Sequence, residues 1–301
     1  MKVITPLAIN DARLTSSTIA EPDTGETAWN AAASYVLGDV VIRTTTHKKY
    51  ENILAGIDAG VPESTPTRWI EIGSTNRWAM FDTLRNTQSI KASPVTIVLT
   101  PNSRIDSIGL LSVDADSVDI SIMNGAELVY TATRELNTRD VLGWYDYYFA
   151  PFKKVPNVVF FDIPPYSTTV ITITFTSVSD IKLGAIILGN QADLGKAIHG
   201  VSSEELNFSR IEREVTGESI LIPRRSVPKI NIQSVATPSQ LNSIRDTRAN
   251  LNAVPAVWSG LDDKLNNPYF DTVLLLGVYK KFEINMNNSQ MIDINLDIEE
   301  I

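Results

Sequence analysis

The stretch Val170-Ile171-Thr172-Ile173-Thr174-Phe175 decides the fold class of this chain, because apolar and hydroxyl side chains alternate along it. A two-residue period places alternate side chains on opposite faces of a β-strand. Similar apolar or alternating runs occur at Val95–Leu99 and Val118–Ile122. Turn residues separate these runs at Asn102, Asn124-Gly125 and Pro164-Pro165. We therefore predict an antiparallel β-sandwich over residues 76–190.

Upstream of the sandwich, residues 28–75 predict a small β module with three short strands. A unit of about 45 residues buries little surface, so aromatic side chains must supply most of its core. We assign its framework to Trp29, Tyr35, Gly38, Asp39, Tyr50 and Trp69. Residues 1–27 lack sustained periodicity and contain the turn-like Pro22-Asp23-Thr24-Gly25. They are expected to form an extended arm or a loosely packed lead-in.

Downstream of the sandwich, residues 191–301 predict an α+β domain. Apolar residues recur at helical spacing between Pro238 and Val254, and Pro255 ends that helix. The stretch Met291–Ile298 alternates apolar and mostly acidic side chains, which predicts a half-buried strand. Its alternation also suits addition to the sheet edge of a partner. The whole chain is therefore expected to be mainly β with a smaller α+β part.

Composition excludes several classes of function. The 301 residues carry a net charge of 26 − 35 = −9, which disfavours binding to a nucleic-acid backbone. There is no cysteine and there are only two histidines, so thiolate zinc sites, cysteine nucleophiles and multi-histidine metal sites are excluded. Without a long apolar run, we expect a soluble protein with no signal peptide and no membrane span.

The sequence lacks a required residue for each known catalytic arrangement that we considered. We therefore expect no enzymatic activity, cofactor or metal. A catalytic triad would need His47 or His199, which we place in a solvated turn and in a loop. Paired carboxylates remain available at Asp262-Asp263 and in the cluster formed by Asp114, Asp116 and Asp119. That cluster fits either a solvated strand edge or a weak calcium site.

The most unusual local feature is the aromatic segment Trp144–Phe149. If this segment is a strand, its side chains alternate and cannot all face one core. The outer face is then covered by a neighbouring loop, bound to another protein, or used as a glycan platform. We take Trp144, Tyr145, Tyr147 and Tyr148 as candidate contact residues for a ligand or partner.

The framework residues of the module, read with Pro62, follow a spaced pattern. This pattern resembles the small chitin-binding modules of carbohydrate-binding families 5 and 12. In those modules an exposed aromatic pair just after the second tyrosine stacks on the sugar. This chain has Asn52-Ile53-Leu54-Ala55 at that position, with no aromatic side chain.

Other stretches resemble tail proteins of double-stranded DNA bacteriophages. Gly73–Asp82 looks like the junction that follows such a module, and Leu183–Gly189 looks like the closing strand of a galactose-binding-like sandwich. Further stretches resemble, in the same order, the domain that follows the sandwich in those tail proteins. They are Ala192–Gly195, Phe208–Arg210, Glu212–Glu214, Thr216-Gly217, Pro255–Trp258 and Ile298–Ile301.

The resemblance implies a virion protein, assembled in the bacterial cytoplasm, that acts as a structural adaptor in a tail tip or baseplate. Residues 191–301 would dock to the tail hub or a neighbouring subunit, and residues 28–190 would project, in a homo-oligomer. The alternative function is a carbohydrate-binding protein that recognises a host surface glycan.

Overall fold

A computed structural model describes residues 1–57, 60–84, 87–139, 141–198, 201–213, 217–261, 270–286 and 289–301. The fold is mainly β, with 51% of residues in strands and 10% in helices, as the sequence predicts. In chain order the strands are β1 (Lys2–Pro6), β2 (Leu14–Ser17), β3 (Ser34–Tyr35), β4 (Val40–Arg43), β5 (Lys48–Asn52), β6 (Gly56–Ile57), β7 (Trp69–Ser74), β8 (Ser89–Lys91), β9 (Val95–Leu99), β10 (Ser107–Asp114), β11 (Ser117–Asn124), β12 (Glu127–Glu135), β13 (Asn137–Thr138), β14 (Lys153–Lys154), β15 (Val158–Phe160), β16 (Thr169–Thr176), β17 (Ile181–Asp193), β18 (Lys196–Ala197), β19 (Ser202–Asn207), β20 (Arg210–Arg213), β21 (Ser219–Ile222), β22 (Ser226–Ala236), β23 (Ala256–Ser259), β24 (Leu274–Asn285) and β25 (Ile292–Glu300). The helices are α1 (Trp144–Phe149) and α2 (Leu241–Asn250), with 3-10 turns at Pro62–Ser64, Ala79–Phe81, Pro238–Gln240 and Asp271–Val273.

The sandwich consists of two antiparallel sheets packed face to face. One sheet has the strand order β12-β11-β16-β9-β2, and Ile120, Ile173 and Ile97 form a buried row across its centre. The facing strands β15, β10 and β17 belong to an 11-stranded sheet. Leu110 and Leu183 from that sheet share one core with the isoleucine row. The stretch Val170–Phe175 therefore lies in β16, the central strand of one sheet of this sandwich.

The first strand of the chain lies in the middle of the large sheet. The expectation of an arm over residues 1–27 is wrong for Lys2–Pro6, because β1 pairs with β17 on one side and β23 on the other. Val3 and Ile4 are fully buried. Five residues are too few to show a period, and the partners of β1 come from distant parts of the chain. Gly189 on β17 is required here, because a Cβ at this position would lie 2.0 Å from the carbonyl oxygen of Thr5.

Residues beyond the sandwich extend the same sheet and carry the predicted helix. The strand order continues from β1 through β23, β24, β25 and β22 to β18, and α2 packs on this part through Ile244 and Leu251. At the start of the helical segment, the N–H of Thr237 donates to the Gln240 side-chain oxygen at 3.0 Å. The alternating β25 is half-buried, as predicted. It pairs with both β24 and β22, so the expectation that it adds to a partner's sheet edge is wrong.

The small module is a three-stranded sheet, β4-β5-β7, with the short pair β3-β6 beside it. Tyr35, Tyr50 and Trp69 form its buried core together with Val41. The rings of Tyr35 and Trp69 meet edge to face, with centroids 5.0 Å apart. The predicted aromatic residues therefore face inward and supply the core of the module.

A turn and a buried arginine complete the module. Gly38 has a φ of +87°, and the Asp39 carboxylate accepts a hydrogen bond from the N–H of Val36 at 2.7 Å. The largely buried Arg68 donates to the Asn52 side chain at 3.1 Å and to the carbonyl oxygen of Gly56. The predicted framework did not include Arg68, because its role depends on strands that meet only in the fold.

A buried carboxylate joins the module to the sandwich. The Glu21 side chain is 6% exposed and accepts hydrogen bonds from Thr75 Oγ1 at 2.7 Å and Trp78 Nε1 at 3.0 Å. His47 Nδ1 lies 2.9 Å from the same carboxylate, and its ring stacks on Trp78 with centroids 4.1 Å apart. His47 Nε2 faces the exposed carboxylate of Asp11 at 3.1 Å. His47 lies in a turn, as predicted, but its side chain is 19% exposed and held at the junction, so the expectation of a solvated histidine is wrong.

Removing the Glu21 carboxylate should destabilise this junction. We expect Glu21→Ala to lower the free energy of unfolding by about 3 kcal/mol, because buried donors lose their acceptor. Chemical denaturation followed by tryptophan fluorescence measures the change. The matched control is Asp11→Ala, which removes the exposed carboxylate on the same imidazole and should cost less than about 1 kcal/mol. Equal losses in the two variants would contradict this role for Glu21.

Candidate interaction site

The candidate contact residues lie at the end of a projecting hairpin. β13 pairs with β14, with Asn137 opposite Lys154 and Thr138 opposite Lys153, and the aromatic segment between them forms α1. The segment is a helix, so the alternation of side chains that a strand would impose does not apply to it. The N–H of Tyr147 donates to the carbonyl oxygen of Gly143 at 3.0 Å, so a local helical bond satisfies these backbone groups.

Local residues determine where this short helix begins and ends. Gly143 is extended immediately before the helix, and Asp146 accepts a hydrogen bond from the N–H of Leu142 at 3.2 Å. The N–H of Ala150 donates to the carbonyl oxygen of Asp146. Ala150 itself is extended, as expected of a residue that precedes a proline. One turn of helix therefore presents its aromatic side chains in several directions.

These aromatic side chains are exposed to solvent. None of the six residues of α1 is buried, and Trp144 is 81% exposed. Leu142 and Phe152, which flank the helix, are also exposed. We call the surface formed by residues 141–152 the aromatic tip. The expectation that a neighbouring loop covers this face is not met among the described residues.

The rings of the aromatic tip do not form a flat platform. Trp144 and Tyr147 meet at 74° with centroids 6.3 Å apart, and Tyr147 and Tyr148 meet at 88° with centroids 5.2 Å apart. The Arg139 guanidinium lies 5.4 Å from the ring centroid of Tyr147 and 5.1 Å from that of Phe152. Stacking on a sugar ring uses a flat aromatic face, whereas tryptophan, tyrosine and arginine are enriched among the residues that anchor protein interfaces.

The hairpin is fastened to the sandwich by Asp116. This carboxylate accepts hydrogen bonds from Lys154 Nζ, from Asn137 Nδ2 at 2.9 Å and from the N–H of Val178 at 2.8 Å. The hydrogen bond from Lys154, followed by those from Asn137 and Val178, holds the pKa of Asp116 well below its ordinary value. The two ends of the hairpin and the end of β16 therefore meet at one ionised side chain.

The acidic cluster does not gather around a common point. Asp114 Oδ1 lies 3.9 Å from Lys154 Nζ, whereas Asp119 accepts a hydrogen bond from Thr133 Oγ1 at 2.5 Å. The calcium alternative would require a cation at the place that the Lys154 ammonium takes beside Asp116. In the described parts of the chain, no three His, Cys, Asp or Glu side chains are placed to hold a metal ion. The other candidates, His199 and Asp262-Asp263, lie outside the described residues.

Sequence reasoning missed three residues of this site. Arg139 and Phe152 flank the aromatic segment, so their closeness to it in the sequence could have predicted that they belong to the same surface. The sequence suggests a paired carboxylate, a solvated strand edge or a calcium ligand for Asp116, because its contacts with Asn137 and Lys154 are made across the fold. No family model, curated protein or solved structure matches the chain. In the described residues, no helix is long and apolar enough to cross a membrane.

Loss of the Asp116 carboxylate should loosen the hairpin and leave the sandwich intact. We expect Asp116→Ala to raise amide hydrogen-exchange rates across residues 137–154 by about tenfold, because the donors at its base lose their shared acceptor. Exchange followed by mass spectrometry reports each segment. Asp119→Ala, which removes a carboxylate bound to a single hydroxyl, is the matched control. The same effect in both variants would contradict an anchoring role for Asp116.

The stabilisation of the hairpin by the Asp116 carboxylate should also be lost at low pH. A lowered folded-state pKa means that the carboxylate stabilises the hairpin above the unfolded pKa of about 4 and loses this effect as the pH falls below it. Exchange rates in residues 137–154 should therefore be constant from about pH 7 to pH 5, after correction for the intrinsic chemistry, and rise below about pH 4. In Asp116→Ala they should be high throughout. A rise that begins above pH 5 would contradict this assignment.

Proposed function

We propose that this protein is a structural adaptor of a bacteriophage tail tip or baseplate, where the aromatic tip binds a neighbouring tail or baseplate protein. The observation that carries this proposal is the exposure of Trp144, Tyr145, Tyr147 and Tyr148 on an anchored hairpin. Tryptophan and tyrosine are enriched among the residues that dominate interface energies. An exposed cluster of this kind marks an interaction site rather than a tolerated surface.

The resemblance of successive stretches to tail proteins supports the location of this contact. We place the protein in the virion tail, assembled in the bacterial cytoplasm as a homo-oligomer, with other tail or baseplate proteins as partners. The crossed rings of the tip favour a polypeptide surface over a sugar. The aliphatic Asn52–Ala55 segment, at the position where the resembled modules stack on sugar, favours the same conclusion.

The location can be tested on particles. Electron microscopy of intact virions with a gold-labelled antibody raised against residues 28–73 should place the label at the distal end of the tail. Label along the tail shaft or on the capsid would overturn the adaptor position and retain a virion role. Absence of label, with an antibody that reacts with the purified protein, would overturn the virion proposal.

The contact itself can be tested by substitution of the tip. We expect Trp144→Ala combined with Tyr147→Ala to reduce the amount of protein retained in virions by about tenfold or more, because both anchors are lost. Quantitative mass spectrometry of purified particles measures the retained protein. Tyr166→Ala removes an exposed tyrosine outside the tip and is the matched control, with unchanged retention expected. Equal retention of the two variants would contradict the proposed contact.

The alternative function, recognition of a host surface glycan, is favoured by one observation, the exposed indole of Trp144. On that hypothesis the wild-type chain is retarded on a column of host surface polysaccharide, and Trp144→Ala with Tyr147→Ala abolishes the retardation. Unchanged retardation of the double variant would exclude the aromatic tip as the sugar site.

A further inference from the structure

A second projection leaves the large sheet at β22, close to the edge of the sheet where β18 lies. β19 pairs with the first half of β22, and β20 pairs with β21, so the chain runs out along residues 202–213 and returns along residues 219–228. The last residue of β22 paired with β25 at this end is Lys229. At 3.3 Å per residue, the nine residues from Glu205 to Arg213 extend about 30 Å beyond that point. We call residues 202–228 the projecting ribbon.

The described residues of the projecting ribbon include apolar side chains, and none of these is buried. Every described residue from Ser202 to Arg213 is exposed, and none of the described residues from 217 to 228 is buried. Ile211 lies opposite Leu221, and these side chains are 63% and 70% exposed. A two-stranded hairpin without a core is marginally stable in water at best. The ribbon therefore needs a surface that covers it.

The two faces of the outer ribbon differ in charge. Residues directly opposite each other share a face, so Ile211, Leu221 and Arg213 lie on one face. Arg213 forms no ion pair with another described residue. On the other face Arg210 Nε lies 3.3 Å from a carboxylate oxygen of Glu212. The first face thus combines an aliphatic pair with an unneutralised guanidinium.

The small module carries a surface of matching character. Val40, Glu51 and Ile70 lie in one row across β4, β5 and β7. Val40 and Ile70 are 45% and 49% exposed, and Glu51 between them forms no ion pair with any residue that the structure describes. We call this row the module face. It presents an aliphatic pair around an unneutralised carboxylate, which is the complement of the first face of the ribbon.

We propose that the projecting ribbon of one copy docks on the module face of a second copy. Ile211 and Leu221 pack on Val40 and Ile70, and the Arg213 guanidinium pairs with the Glu51 carboxylate. The four aliphatic side chains are exposed within a single chain and are free to contact another molecule, and the two charges are of opposite sign. The contact joins two different surfaces and is therefore heterologous, which generates a ring if the rotation closes and a filament if it does not. The inference rests on the homo-oligomer in the proposed function.

Charge reversal tests the pairing in the full-length purified chain. Arg213→Glu and Glu51→Arg should each weaken self-association by about tenfold, because like charges are then opposed. The double variant should return to within about threefold of wild type, because the pair is restored with exchanged signs. Sedimentation velocity over a concentration series measures association. Arg210→Glu makes the same charge change on the other face of the ribbon and should leave association within about threefold of wild type.

Disulfide trapping tests the geometry, and the absence of cysteine from the chain makes this test clean. A chain carrying both Leu221→Cys and Ile70→Cys should form a ladder of disulfide-linked oligomers on oxidation. Each single variant should give no species above a dimer. Ile220→Cys with Ile70→Cys is the matched control, because Ile220 lies on the other face of the ribbon. Non-reducing electrophoresis separates these outcomes.

Two results would overturn the inference. A wild-type chain that stays monomeric to about 100 µM and gives no ladder has no such contact. Self-association that the charge reversals do not change would place the contact elsewhere. Neither result bears on labelling of the virion tail. Conversely, absence of the protein from virions with intact self-association would contradict the proposed function and leave this contact in place.

Discussion

The structure depends on the insertion of β1 between β17 and β23. Its backbone is the link between the strands of the sandwich and the strands of the C-terminal part of the large sheet. Val3 contacts the core of the C-terminal part, whereas Ile4 contacts a cluster with Leu111 and Ile187. Successive side chains of a strand point to opposite faces, so one strand contributes to two cores. The close approach of its backbone explains the glycine at position 189.

The boundary that the sequence predicts between residues 190 and 191 lies inside β17, because the sandwich and the C-terminal part share one sheet. β17 runs without interruption from Ile181 to Asp193, and its end pairs with β1. The module, in contrast, contacts the N-terminal segment through the pair of His47 with Glu21 and the ion pair of Lys49 with Glu26 at 3.2 Å. That segment is held to the sandwich by the ion pair of Asp23 with Lys91 at 2.6 Å. Burial acts to raise the pKa of Asp23, but hydrogen bonds from Lys91 and neighbouring groups outweigh it and lower this pKa. The module is thus held by directional bonds, and the sandwich by apolar packing.

The described surface carries exposed apolar side chains at three places, the aromatic tip, the projecting ribbon and the module face. Each of these three surfaces exposes at least two large apolar side chains. They differ in chemistry, because the tip is aromatic with an arginine, whereas the ribbon and the module face are aliphatic with opposite charges. Differences of this kind allow one chain to hold distinct partners at distinct surfaces.

Side-chain period by itself determined the strands with long alternating runs and the helix with apolar residues at helical spacing. Val170–Phe175, Met291–Ile298 and the residues of α2 have these patterns because burial on one face selects the residue at each position. Tertiary structure alone decided the rest. β1 is short and has no recognisable side-chain period. The aromatic segment forms a short helix, and β25 is paired on both sides, with β22 and β24. The contacts of Asp116 and Glu21 arise only when distant segments meet, so no local pattern encodes them.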